Sequence, residues 1–166
     1  MVGVASSGTA AVTLPTEDQI LITREFDAPK ELVWKAWTTP ELVKRWWHAN
    51  RAEVTVCDID LRAGGTWRYV SVTTEGGMEV AFHGEYREVE PYDRLVSTEA
   101  YEGVPNADEN ATVNTMTLEE NDGRTTVTIL VQCPSREVRD AIIDSGMEAG
   151  MQDALDLLEQ VAISLR

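Results

Sequence analysis

A chain of 166 residues, 43% hydrophobic and 26% charged, has the make-up of one ordinary globular domain; two would each fall near the size at which a core is hard to bury. No apolar run approaches the roughly 20 residues of a membrane span. Twenty-nine acidic against 14 basic residues leave a net charge of −15, which opposes nucleic-acid phosphates and anionic membranes, so neither is expected as a partner.

Residues 1–18 are rich in small side chains (Gly3, Ser6, Ser7, Gly8) and have neither a basic start nor a long apolar centre. They read as a disordered leader rather than a secretory signal, with one domain over residues 19–166 and a cytoplasmic location. From Ile20 the character changes. Ile20 and Ile22, with Phe26 after a slip, alternate with Thr23 and Glu25 as in a half-buried strand. Pro29 then suits the first position of a helix, where its missing N–H has no intrahelical partner to lose. Leu32, Val33, Ala36 and Trp37 recur at helical spacing. Thr39-Pro40-Glu41 repeats the start signal as a capping hydroxyl, a proline and an acid, and Leu42, Val43, Trp46 and Trp47 repeat the stripe.

Six strands are expected next. Residues 51–61 are rich in β-branched side chains, and Ala63-Gly64-Gly65 marks a turn before residues 66–73. Glu75-Gly76-Gly77 precedes residues 78–90, and Pro91-Tyr92-Asp93 separates them from residues 94–101. After an acidic loop at 103–110, residues 111–120 and 124–133 flank the hairpin turn Asn121-Asp122-Gly123. Tight turns make these strands antiparallel. Pro134-Ser135 caps a last long helix whose stripe is Ile143, Met147, Met151, Ala154, Leu155, Leu158 and Ala162. Glu148, Gln152, Asp153, Asp156 and Glu159 are available for its wet side. The order implies an α+β fold with a curved antiparallel sheet of about seven strands wrapped on a long C-terminal helix, and two short helices after strand one.

Few residues point to chemistry. No phosphate loop, GxSxG elbow or paired metal ligands occur, so no cofactor, metal or catalytic residue is expected. His83 lies within a strand and is expected to face solvent, and His48 ends a helix. Asp58 and Asp60 share a strand face beside Arg62 as a salt-bridged strand end, and Arg139-Asp140 opens the last helix structurally. Cys57 and Cys133 read as buried, reduced thiols. Trp37 and Trp46 read as core, while Trp34 and Trp47 suit either core or a ligand gate. Gly146 and Gly150, four apart in the last helix, form a notch that leaves room for a ligand or for close approach of a strand or a ring such as Trp67. Met78, Met116, Met147 and Met151 are adaptable gap fillers.

Specific strings narrow the fold. They are Phe26-Asp27-Ala28-Pro29 with Val33-Trp34-Lys35-Ala36-Trp37; Pro40-Glu41-Leu42-Val43-Lys44-Arg45-Trp46-Trp47; and Asp60-Leu61-Arg62-Ala63-Gly64-Gly65-Thr66-Trp67. Phe82-His83-Gly84-Glu85-Tyr86, Pro91-Tyr92-Asp93-Arg94-Leu95 and Ser145-Gly146-Met147-Glu148-Ala149-Gly150 follow. In order and spacing they resemble the activator of heat-shock-protein ATPase homologue family, within the START-like (SRPBCC, helix-grip) superfamily, over about residues 20–164. The sequence departs at His48-Ala49, where similar sequences often have Gly-Pro, and at Ala63, often proline. The resemblance implies a cavity between sheet and helix that holds a small apolar or aromatic molecule. Trp67, Tyr69, Gly146, Met147, Gly150 and Met151 are the ligand-binding candidates. It also leaves two alternatives: a cyclase, dehydratase or hydrolase on a cyclic substrate, which needs His83 or Asp58 turned inward, and a chaperone ATPase regulator. Self-association as a homodimer stays open, and chaperone docking is the weaker partner reading because the chain lacks the co-chaperone's amino-terminal domain.

Overall fold

The computed structural model describes residues 9–48 and 51–166. The elements run β1 (Ala11–Thr13), β2 (Gln19–Phe26), α1 (Lys30–Thr38), α2 (Pro40–Trp46), β3 (Ala52–Ile59), β4 (Thr66–Thr73) and β5 (Glu79–Glu90). They continue with β6 (Arg94–Tyr101), β7 (Thr112–Asn121), β8 (Arg124–Gln132), α3 (Arg136–Asp144) and α4 (Met147–Ser164). The strands form one open antiparallel sheet in the order β1-β2-β8-β7-β6-β5-β4-β3. This is the expected helix-grip architecture, with two differences.

The first is an eighth strand. Ala11–Thr13, inside the segment expected to be disordered, pairs with Leu21–Thr23 of β2. The side-chain amide of Gln152 holds it in place: Ala10 N–H donates to Oε1 and Nε2 donates to the Ala10 carbonyl, each at 2.9 Å. Residues 1–8 of the expected leader lie outside the described residues.

The second is a break in the last helix. Gly146 has φ +81°, a left-handed conformation that side chains with a Cβ rarely adopt, so α3 ends there and α4 begins one residue later. Ser135 caps α3 as expected, its hydroxyl accepting from Val138 N–H at 3.2 Å. At α2, by contrast, Thr39 makes no side-chain cap, and Pro40 at the helix start is the operative signal.

The sheet's inner face packs on α4, but unevenly. Leu155, Leu158, Val161 and Ala162 of α4 are buried, whereas α3 has no buried residue at all and α4 before Leu155 has none. The core therefore closes at the C-terminal end of α4, together with Phe26, Val33, Ala36 and Val43 from β2, α1 and α2. At the other end α3 and the start of α4 stand away from the sheet. Register shifts between Val54 and Val56 and between Tyr86 and Glu88 mark bulges, which bend and twist strands and so help curve this side.

Arg24 sits inside this core, 2% exposed, with Nη2 3.0 Å from Asp156 and 3.4 Å from Glu159, and its guanidinium 4.6 Å from the Phe26 ring centroid. Glu159 is buried rather than on the wet side, because it answers Arg24 and accepts from Asp27 N–H at 2.9 Å. Cys57 and Cys133 are free, buried thiols.

Candidate functional site

The space under α3 and the start of α4 is a cavity of about 840 Å³. All six ligand-binding candidates line it: Trp67 and Tyr69 from β4, and Gly146, Met147, Gly150 and Met151 from the helices. The wall is largely aromatic and aliphatic. Trp47 contributes most to its continuity, with its ring centroid 4.9 Å from Tyr69 and 5.8 Å from both Phe82 and Trp46. Trp67 lies 4.7 Å from Tyr69, and Phe82 lies 5.2 Å from Tyr101. Trp46 is core, as expected, and donates from Nε1 to the Ala36 carbonyl at 2.9 Å. Trp34 is also buried, away from the cavity, while Trp37 is only partly buried and lines it.

The glycines divide the work differently from the expected notch. A Cβ on Gly146 would meet nothing, so that residue serves the left-handed break. One on Gly150 would come 3.0 Å from Nη1 of Arg51, an exposed side chain paired with Asp153 at the cavity rim. The close approach to Trp67 belongs to Gly84 on β5. A Cβ there would lie 2.5 Å from Trp67 Nε1 and 1.8 Å from the Thr98 carbonyl oxygen. That vacancy lets Trp67 Nε1 donate to the Thr98 carbonyl at 3.1 Å and fixes the ring against the cavity wall. Met116 lines the cavity, but Met78 sits 66% exposed in the turn before β5 and takes no part.

Polar groups gather on one side. Alternation along β6 turns Leu95, Ser97, Glu99 and Tyr101 to the cavity, and β7 adds Thr112 and Asn114 beside them. Thr112 Oγ1 donates to Asn114 Oδ1 at 3.0 Å, and Asn114 Nδ2 donates to Glu99 Oε1 at 3.3 Å. Glu99 is partly buried, and its side chain forms part of the cavity wall. Burial pushes its carboxyl up to about 7, with the Asn114 hydrogen bond pulling the other way. Burial also holds Tyr69 well above the usual phenol range, with nearby Tyr86, Cys57 and Glu99 adding to the effect, and raises Tyr86. At the aromatic side, burial lowers the His48 pKa and favours neutral imidazole there. Its Nε2, like Trp47 Nε1, has no hydrogen-bond partner among the described residues.

Neither His83 nor Asp58, the groups that the enzyme alternative needs turned inward, lines the cavity. Asp58 is exposed on edge strand β3. His83 lies on the outer face, where Nδ1 meets Glu102 Oε2 at 2.8 Å and Nε2 meets Asp108 Oδ1. Arg68 forks onto the same Glu102 with two 2.9 Å hydrogen bonds. This cluster ties the loop at residues 103–111, which supplies Val104, Ala107 and Asn110 to the cavity wall, to the back of the sheet. The inward-turned His83 or Asp58 that the enzyme alternative required is not what the structure places there. The cavity's internal carboxyl is Glu99, which sequence reasoning missed, although its period-two spacing from Leu95 and Ser97 placed it on their face.

Asp60 and Arg62 pair at 2.9 Å and Arg139 pairs with Asp140 at 2.8 Å, both as the structural contacts expected. No group of three or more His, Cys, Asp or Glu among the described residues is arranged to hold a metal ion, and no helix among them is long and apolar enough to cross a membrane.

The family described as "Activator of Hsp90 ATPase homolog 1-like protein" matches residues 27–162. A crystal structure of a protein from Rhodobacter sphaeroides is 27% identical, covering 94% of this chain and 99% of that one, with a TM-score of 0.84. A solution structure of a protein from Arthrobacter aurescens is 26% identical over 93% and 91% of the two chains, with a TM-score of 0.82. Another, from Staphylococcus epidermidis, is 28% identical over 92% and 94%, with a TM-score of 0.77. No curated protein matches the sequence.

Proposed function

We propose that this chain, which belongs to the Activator of Hsp90 ATPase homolog 1-like family, is a binding protein that encloses a small apolar or aromatic molecule between its sheet and its C-terminal helices. The cavity carries the reading. Its volume of about 840 Å³ is that of a small-molecule site, and a mostly apolar wall with a few polar groups on one side is the usual make-up of such sites. Space left unfilled forgoes packing contacts and costs stability, so a domain that holds α3 clear of the sheet gains from an occupant. Trp67, Tyr69, Met147 and Met151 supply apolar contact, and Gly150 keeps the helical wall low beside the Arg51 side chain at the rim. Regulation of a chaperone would call for an external docking face, and the cavity does not bear on it.

The test is a thermal-shift screen with naphthalene-based, steroid and fatty-acyl compounds. A ligand at 100 times its Kd adds about 2.7 kcal/mol, which for a domain of this size raises Tm by roughly 5–11 °C. Gly150→Trp, which projects an indole into the rim, is expected to abolish the shift in a protein that still unfolds cooperatively. A folded wild-type protein whose Tm responds to none of them removes the reading, and stimulation of a chaperone ATPase becomes the question to ask.

A further inference from the structure

The polar side of the cavity has a direction. Thr112 donates to Asn114 and Asn114 donates to Glu99, so the chain of hydrogen bonds ends on a carboxylate acceptor. The second oxygen, Oε2, accepts nothing among the described residues, and it lies where cavity space reaches it. No counter-charge from those residues offsets its burial; what acts on the carboxyl is desolvation and the one hydrogen bond from Asn114. The other titratable groups on the wall are Tyr69 and Tyr86, both held protonated, His48, favoured neutral by burial, Tyr101 two residues along β6, Glu137 on α3, and Arg51, engaged with Asp153 at the rim. The polar side is therefore short of one donor and, with the Glu99 carboxyl ionised, of one positive charge, beside a wall of aromatic faces that also favour a cation. The chain's net charge of −15 draws cations toward it and repels anions.

We propose that Glu99 sets the chemistry of the ligand: the cavity takes an aromatic or alicyclic molecule bearing a basic nitrogen, whose ammonium pairs with Oε2 while its apolar body packs on the Trp47–Tyr69–Trp67 wall. This rests on the binding reading above and adds a charge to it. A carboxylic-acid ligand would set a second negative charge beside Glu99 in a poorly solvated space, and a neutral ligand would leave the carboxylate without a counter-ion.

Three probes of one shape separate the possibilities: 2-naphthylmethylamine, 2-naphthylmethanol and 2-naphthoic acid, titrated calorimetrically into wild-type protein and Glu99→Gln. At pH 8 the amine is expected to bind wild type at least about tenfold more tightly than the alcohol, with the acid weakest. Because a proton on Glu99 competes with the ammonium, amine affinity falls as pH drops below the carboxyl's raised value, by up to about tenfold per pH unit. The alcohol's affinity stays flat. Glu99→Gln, its fold checked by cooperative unfolding, is expected to lose both the amine preference and its pH dependence. Equal binding of amine and alcohol by wild type, or an amine preference that survives in Glu99→Gln, overturns the assignment of Glu99 and leaves the cavity reading standing. Failure of all three probes to bind overturns both.

Discussion

Gly84 offers a quantitative test of how the cavity wall is built. Adding a methyl group there places a Cβ 1.8 Å from the Thr98 carbonyl oxygen, 2.7 Å from its carbon and 2.5 Å from Trp67 Nε1. Backbone atoms cannot yield as a flexible side chain would, so β5 and β6 must part by more than an ångström. Two hydrogen bonds are lost in the process, Trp67 Nε1 to the Thr98 carbonyl at 3.1 Å and Glu85 N–H to Thr98 Oγ1 at 2.9 Å. Each contributes about 1 kcal/mol, and forcing a methyl into a packed site costs about 1–3 kcal/mol more. Gly84→Ala is thus expected to destabilise the protein by about 3–5 kcal/mol, a large share of the roughly 5–15 kcal/mol that a domain possesses. Urea unfolding measures it, with Gly150→Ala as the control. There the new Cβ meets only the end of the Arg51 side chain, at 3.0 Å, and the helix gains up to about 1 kcal/mol in propensity. A Gly84→Ala protein within about 0.5 kcal/mol of wild type, or one no less stable than Gly150→Ala, refutes this account of how Trp67 is seated.

Arg24→Met is expected to cost about 3–5 kcal/mol by leaving Glu159 buried without its counter-charge, and the double variant with Glu159→Gln to recover much of that in urea unfolding. His83 gives a pH dependence. Its pKa is raised first by the Asp108 hydrogen bond and then by that of Glu102, so its hold on the 103–111 loop is complete below the ordinary histidine value and fades as pH rises through the raised one. Glu102, held down to about 2 chiefly by Arg68, keeps its share until pH falls toward that value. Amide exchange in the loop, corrected for the intrinsic pH effect, is expected to speed up across the histidine titration in wild type and to be fast throughout in His83→Ala. Exchange is also expected to be faster throughout α3, which has no buried residue, than in α4 from Leu155 onward, and a bound ligand to slow it.

Strand alternation, Gly-containing turns and Pro40 were enough to place nearly every element within a residue or two. The edge strand β1 escaped because three residues carry little pattern, and what holds it is Gln152, 142 positions away in sequence. Helical periodicity ran straight through Gly146 because stripe residues continue on both sides, so the break shows only in its φ of +81°. A glutamate off the apolar stripe is available for the wet side, as Glu159 is by sequence; its burial depends on Arg24, which alternation along β2 does turn inward. The candidate lining residues were legible because the family resemblance implied a cavity between sheet and helix, and alternation along β4 and helical spacing put Trp67, Tyr69, Met147 and Met151 on the faces that bound it. Glu99 was missed for the opposite reason, since a glutamate in a strand is ordinarily a solvent-facing residue and only its spacing from Leu95 argued otherwise.

The central claim is that the space between sheet and helices holds a small molecule, and native mass spectrometry reads that directly. Purified protein, or protein incubated with the compounds above, is expected to carry one additional mass of a few hundred daltons, retained under gentle ionisation, released on denaturation and absent in Gly150→Trp. Wild-type protein that carries only its own mass at every ligand concentration, while remaining folded, would contradict it.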